Sequence, residues 1–172
     1  MKRVMIDFET LGNGKNACIA QVGACYFGGA LQLPVKLNFD TEDCVKHGAE
    51  LDASTVYWWL AQSTEARNSI LEQPRVLEYE GLLILNDYLR EADEIWSHAT
   101  FDFVILMEAL KRRDIKPSFS YRAARDIRTL NALCPNFDKN SIVREGTHHD
   151  GLDDALYQAK YVMAMLEMLG VK

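Results

Sequence analysis

The chain has no CxxC pair, and its four cysteines, Cys18, Cys25, Cys44 and Cys134, show no spacing of the kind that builds a structural metal centre. It lacks an N-terminal basic segment followed by a long apolar run, which argues against an export signal and for reduced thiols and a cytoplasmic address. No stretch approaches the roughly 20 apolar residues that span a bilayer. The apolar run at 162–169 is short and follows an amphipathic stretch, so no membrane role is expected. Positive charge is also scarce, with 19 Lys and Arg against 25 Asp and Glu and a formal net charge of -6. Tight, long-footprint binding to a duplex depends on cations that release phosphate counterions, and this balance argues against it. Internal repeats, low-complexity tracts and linkers are missing as well.

What is present is a chain of 172 residues, 48% of them hydrophobic, enough for one well-buried core; two halves would each be marginal. The expectation is a single domain over residues 1–172. Residues 3–9 read as an apolar strand ending in carboxylates, followed by the turn formers Gly12, Asn13 and Gly14. Residues 17–27 and 31–39 read as two further strands joined through Gly28 and Gly29. Helical periods then begin, with Val56, Trp59 and Leu60 under a Ser54 cap, a second segment at 65–71 and a longer one at 77–90. A short strand at 94–97, a helix at 103–112, a strand at 121–127 and a last helix at 152–169 capped by Asp150 complete the order. Three strands, several helices and then β-α-β-α fit an α/β sandwich with a mixed sheet. Residues 145–149 look like an exposed, mobile loop, and it carries two histidines.

Three places could carry chemistry. Asp7 and Glu9 lie two apart on a strand, so both carboxylates leave the same face and could share one cation. The pair alone is weak, since an Asp-x-Glu arises by chance about once in a few hundred positions and also suits a solvated strand end. Asp102 lies where a strand has ended and a helix starts, a position that acids commonly occupy for helix-dipole reasons. The stretch His148-His149-Asp150-Gly151-Leu152-Asp153-Asp154 holds a loop histidine five residues before a helical carboxylate, in two registers, His148 with Asp153 or His149 with Asp154. Spacing does not choose between them, and the apolar face of Leu152, Ala155, Leu156 and Ala159 favours Asp154 only slightly. The conjunction matters more than any member, because hard divalent ions take oxygen ligands and the acids lie at the ends of separate elements.

These motifs resemble the DEDD exonucleases of the ribonuclease H-like fold, in the branch with a catalytic histidine. Asp7-Phe8-Glu9-Thr10 looks like the first exonuclease motif, His98-Ala99-Thr100-Phe101-Asp102 like the second and His149-x-Gly151-x-x-Asp154-Ala155 like the third. They occur in order and span most of the chain. The family's small residue two after the histidine matches Gly151, which selects the His149 and Asp154 register. Compact length and Val56-Tyr57-Trp58-Trp59-Leu60 resemble a small phage and bacterial subgroup of 3'-to-5' exonucleases, acting on RNA or on DNA. His98 departs from the pattern, since many members carry Asn there.

The resemblance implies a mixed β-sheet flanked by α-helices and two-metal-ion hydrolysis of phosphodiesters from the 3' end of single-stranded DNA or RNA, releasing nucleoside 5'-monophosphates. Two Mg2+ or Mn2+ ions would be held by Asp7, Glu9, Asp102 and Asp154, offsetting part of the acidic balance. His149 would act as general base, swinging in when substrate and metals are present, so that a free structure would show it displaced. Thr10 and Leu11 would meet the terminal nucleotide, with His98 and Phe101 as further substrate contacts. One of Trp58 and Trp59 is expected in the core and the other against a base. Arg122, Arg125 and Arg128 form a candidate phosphate rim, whereas His47 and His148 have no catalytic part. A homodimer is compatible with the resemblance, since compact relatives often pair. Two rival readings remain: a non-catalytic nucleic-acid-binding or partner-docking module of this fold, and a hydrolase of short oligonucleotides.

Overall fold

The computed structural model describes residues 1–171. Strands β1 (Arg3–Thr10), β2 (Ile19–Phe27) and β3 (Gln32–Phe39) form an antiparallel meander. Helices α1 (Thr41–Lys46), α2 (Ala53–Leu60) and α3 (Thr64–Leu71) follow, then the two-residue strand β4 (Arg75–Val76) and helix α4 (Glu78–Tyr88). Strand β5 (Glu94–Ser97), helix α5 (Asp102–Arg112), strand β6 (Ala124–Asp126), helix α6 (Ile127–Leu133) and helix α7 (Gly151–Met168) complete the chain. The sheet runs β4-β3-β2-β1-β5-β6, with β5 and β6 parallel to β1. This is an α/β fold with a mixed six-stranded sheet flanked by helices, consistent with the ribonuclease H-like class.

The period-2 alternation of β1 divides the interior. Val4, Ile6 and Phe8 join Leu82, Leu85, Leu106 and Leu110 of α4 and α5 in one core. Met5, between them, faces the opposite way and packs with Ile127, Ala155, Ala159 and Val162 of α6 and α7. Asp7 and Glu9 follow Met5 in the same alternation, so the sheet turns both acids toward α7. The side-chain period that builds the second core therefore also aims the carboxylates.

The helix α7 can approach that closely because of two glycines. Gly23 is the β2 partner of Asp7, and a Cβ on Gly23 would stand 2.1 Å from the carbonyl carbon of Gly151. Backbone therefore lies against backbone, and the first turn of α7 is seated beside Asp7. Asp150 caps this helix as the sequence indicates, one carboxylate oxygen accepting from the backbone N–H groups of Leu152 and Asp153. Its other oxygen accepts from Ser69 Oγ and Lys36 Nζ, both at 2.6 Å. Buried Gln21 accepts from Gly151 N–H at 2.6 Å and donates to Asn38 at 2.7 Å, so the helix start is tied to both β2 and β3.

Several boundaries differ from the sequence reading. The cap of α2 is Asp52, whose carboxylate accepts from both Ser54 N–H and Ser54 Oγ; Ser54 lies inside the first turn. The strand expected over 17–27 starts at Ile19, while Ala17 makes an isolated bridge to Glu50. The segment 121–127 divides into a 3-10 turn, a three-residue strand and the start of α6, because the Asp126 carboxylate caps the helix by accepting from Thr129 N–H. Helices α1 and α6 and strand β4 are absent from the sequence reading. No helix among the described residues is long and apolar enough to cross a membrane, and the four cysteines are free and buried.

Candidate active site

β1 and β5 pair only from Arg3 with Glu94 to Met5 with Trp96. Beyond that point the two strands part, at the carboxyl ends of parallel strands where open α/β sheets place their ligand crevices. The gap is bridged by Asp102, whose carboxylate accepts from Phe8 N–H at 3.2 Å and from His98 N–H at 2.9 Å. The acid at the start of α5 thereby replaces the missing ladder bonds and is held in the crevice.

The crevice opens into a cavity of about 320 Å3 that brings together Asp7, Glu9, Asp102 and Asp154, all buried. His149, His98 and Phe101 also line it, whereas Thr10 and Leu11 lie outside its wall. Leu11 is half-buried and packs against the first core. A larger groove of about 780 Å3 runs between the start of β1, the β2–β3 turn and the end of α7. It holds no cluster of metal-ligating side chains among the described residues, and the chemistry belongs to the smaller cavity.

Three of the four buried acids, Asp7, Glu9 and Asp102, resist ionisation. Burial, then the charges of Asp102, Glu9 and Asp154, push Asp7 well above the usual carboxylate range. Glu9 is pushed up to about 8, mainly by burial and then by Asp154. Asp102 is raised to about 7 by burial, against the opposing pull of its backbone hydrogen bonds. The relief on hand is small: Gln158 Nε2 donates to Asp7 at 2.7 Å, and Arg144 pairs with Asp154. Gln158 Oε1 is buried without a partner.

Ligand-capable atoms gather in three overlapping groups, each within 4.8 Å: Asp7 with Glu9 and Asp154, Asp7 with His98 and Asp102, and His148 with His149 and Asp154. Asp7 and Asp154 each belong to two of them, so the group that they form with Glu9 links the other two. This donor set of buried carboxylate oxygens, with raised proton affinity at Asp7, Glu9 and Asp102, fits hard divalent cations, which would replace the protons those three otherwise retain.

His149 is at φ 66°, a left-handed conformation seldom adopted by residues with a side chain. Its N–H donates to Asp154 at 3.2 Å, and its ring stacks on His148 at 3.8 Å between centroids. The edge of Trp58 meets it at 4.8 Å. Burial, then His148 and Arg144, lower the His149 pKa against the opposing pull of Asp154, so the imidazole is neutral at neutral pH. The ring stands at the cavity wall beside the four acids. His148 lines the same cavity, closer to the chemistry than its spacing suggests.

Neighbouring α2 places one tryptophan in the core, as expected, and leaves the other at the surface. Trp59 is buried and donates its indole N–H to the Thr10 carbonyl at 2.8 Å, while Trp58 is 44% exposed. The arginine series does not act as one rim: Arg125 is committed to Glu94, Arg122 rests over Tyr121, and only Arg128 reaches toward the site, through Thr100. Sequence reasoning missed Arg144, Lys139, Gln158 and Tyr161, all at the cavity. Asp154, Gln158 and Tyr161 lie at i, i+4 and i+7 of α7, a polar stripe that could have signalled a functional face. No comparable signal marks Arg144 or Lys139.

An exodeoxyribonuclease of Enterobacteria phage T4 is 27% identical over 150 aligned positions, which cover 77% of this chain and 60% of the phage protein. The chain thus spans about three fifths of that relative's length. The model of the Rv2179c-like 3'-5' exoribonuclease domain matches residues 2–166, nearly the whole chain. With its four acids converging at the parted strands, the chain belongs to this 3'-5' exonuclease family.

Proposed function

We propose that the chain is a single exonuclease domain of the DEDDh type. In this reading it removes nucleotides from the 3' end of single-stranded DNA or RNA by two-metal-ion phosphodiester hydrolysis and releases nucleoside 5'-monophosphates. The observation that carries the reading is the convergence of four buried carboxylates from β1, α5 and α7 on one cavity, where Arg144 pairs with Asp154 alone. Asp7, Glu9, Asp102 and Asp154 would hold two Mg2+ or Mn2+ ions. Bound there, the ions supply charge neutralisation for the phosphate and acidify the attacking water.

The protein's own groups do the rest. Asp7, common to two ligand groups, joins the two halves of the site. His149 accepts the water proton, a role suited to a neutral imidazole against the cavity wall. Thr10 and Leu11 meet the terminal nucleotide from the β1 end, and His98 and Phe101 from the β5 side. A cavity near the lower end of the range for small-molecule sites suits one unpaired terminal nucleotide, and separating that nucleotide from a duplex partner costs energy. Lys139 and Arg144 offer a short phosphate contact set, in keeping with a grip on a strand end only. Buried, unpaired thiols fit a cytoplasmic setting, and pairing into a homodimer belongs to the same reading.

A time course on 5'-labelled single-stranded DNA and matched RNA with Mn2+, with and without chelator, tests the proposal. A chelator-sensitive ladder shortening from the 3' end is the expected result, and the faster substrate assigns the sugar. Cleavage confined to dinucleotides and trinucleotides would support the short-oligonucleotide hydrolase. No cleavage by folded protein would leave the non-catalytic module.

A further inference from the structure

We infer that His98 is a metal ligand, so that the two halves of the acid cluster differ in chemistry. One half, Asp7 with Glu9 and Asp154, offers only oxygen, and the other, Asp7 with Asp102 and His98, adds an imidazole nitrogen. The inference rests on the two-ion reading above and concerns which atoms complete the second half.

Three observations point to it. The ligand-capable atoms of Asp7, His98 and Asp102 lie within 4.8 Å of one another, and His98 Nδ1 is 4.0 Å from Asp102 Oδ2. Bonds of about 2.1 Å place two ligands of one ion roughly 3 to 4 Å apart, so a small closure of the ring completes the group. Secondly, His98 and Asp102 are locked in one turn. The N–H of His98 donates to the Asp102 carboxylate at 2.9 Å, and the His98 carbonyl accepts from Phe101 N–H at 2.7 Å and Asp102 N–H at 3.0 Å. The imidazole is therefore tethered to the acid it would join. Thirdly, its ring makes no hydrogen bond to another side chain or to backbone among the described residues, though it lines the cavity. Gln158, whose buried Oε1 has no partner, donates to Asp7, the acid that both halves share.

Imidazole nitrogen suits Zn2+, Fe2+ and Ni2+ best; Mn2+ prefers oxygen but, as a transition ion, tolerates a nitrogen ligand better than Mg2+, which favours carboxylate and water oxygen. The half with His98 therefore selects the transition ion, and the all-oxygen half accepts Mg2+. Replacing His98 by Asn keeps the backbone N–H that holds Asp102 and removes the nitrogen donor.

The test uses the full chain labelled with 15N-histidine, loaded with Mn2+ alone, and reads electron spin-echo modulation for directly bound histidine nitrogen, with calorimetry for affinity. Histidine coupling should be present in the wild type and in His148→Asn and His149→Asn, and lost in His98→Asn and His98→Gln. Mn2+ affinity should fall by about tenfold in the His98 variants while Mg2+ affinity changes much less. Coupling that survives in both His98 variants, or that disappears in His149→Asn, overturns the assignment. Mn2+ binding without any histidine coupling also overturns it and leaves the carboxylate site standing. A folded wild type that binds no Mn2+ overturns both this inference and the two-ion reading.

Discussion

Arg144 lays its guanidinium against the carboxylate of Asp154 while resting over the Tyr157 ring, 4.2 Å from its centroid. The cation therefore occupies a carboxylate that the proposed mechanism assigns to a metal ion. Arg144→Ala should bind Mn2+ more tightly in the absence of nucleic acid, by up to about fivefold, the equivalent of roughly 1 kcal/mol for a partly exposed pair. Calorimetry on both proteins measures this. A weaker affinity in the variant would show that Arg144 assists the ion instead of competing with it.

Buried acids with raised proton affinity make the metal-free fold sensitive to alkali. Glu9 at about 8 and Asp102 at about 7 bind protons in the folded state that the unfolded chain has already released, so stability falls as pH rises. Their contribution is intact below the unfolded carboxylate range near pH 4 and is lost progressively up to about pH 8. Thermal unfolding with chelator, followed from pH 5.5 to 9, should show a falling midpoint, and Mg2+ or Mn2+ should reverse much of the fall at the alkaline end. A chelated midpoint that rises over this range would contradict the electrostatic picture of the cavity.

Burial, then the charges of Asp102, Glu9 and Asp154, raise Asp7 well above the usual carboxylate range. Asp7→Asn preserves the acceptor for Gln158 and removes the cost of burying or protonating a carboxylate among like charges. It should abolish metal-dependent cleavage yet raise the chelated unfolding midpoint at pH 8 by a few degrees, about 1 to 2 kcal/mol. Loss of activity together with loss of stability would mean that Asp7 has a structural role.

His149→Ala should slow turnover by about 10²- to 10⁴-fold, as expected for loss of a general base. His148→Ala should cost far less, since its contribution is a stacked neighbour. Single-turnover rates on a labelled oligonucleotide separate the two, and the opposite ranking would move the third motif to His148 and Asp153.

Gly23→Ala places a methyl into the backbone of Gly151. Relief requires the start of α7 to lift from β2, carrying Asp154 and His149 away from Asp7. Urea unfolding should show a loss of about 2 to 4 kcal/mol, and activity at low temperature should fall further than folded fraction alone explains. A variant with normal turnover would show that the helix start tolerates displacement.

Local rules made Asp7, Glu9, Asp102 and the Asp150 cap legible as positions, through side-chain alternation, an acid at a helix start and an Asp before an apolar helical face. Grouping the acids with Asp154 as one site rested instead on the three motifs taken together. Helix α6 was not legible, since Ala124 to Asp126 is too short a strand to separate from the helix that Asp126 caps. The six residues of α1 and the two of β4 are likewise below the length at which periodicity speaks. Arg144 was hidden for a different reason. Its role depends on a loop folding back over α7, and no spacing in the chain encodes that contact.

The position of Trp58 gives the molecule an optical gauge. Its indole meets His149 edge-on at 4.8 Å, and the adjacent Trp59 is hydrogen-bonded to the Thr10 carbonyl, so two of the three tryptophans border the places where base and terminal nucleotide would act. Indole emission responds to the charge and polarity of its surroundings. Movement of the histidine loop or arrival of a 3' end would therefore be visible in the intrinsic fluorescence of the unmodified protein, before any bond is cut.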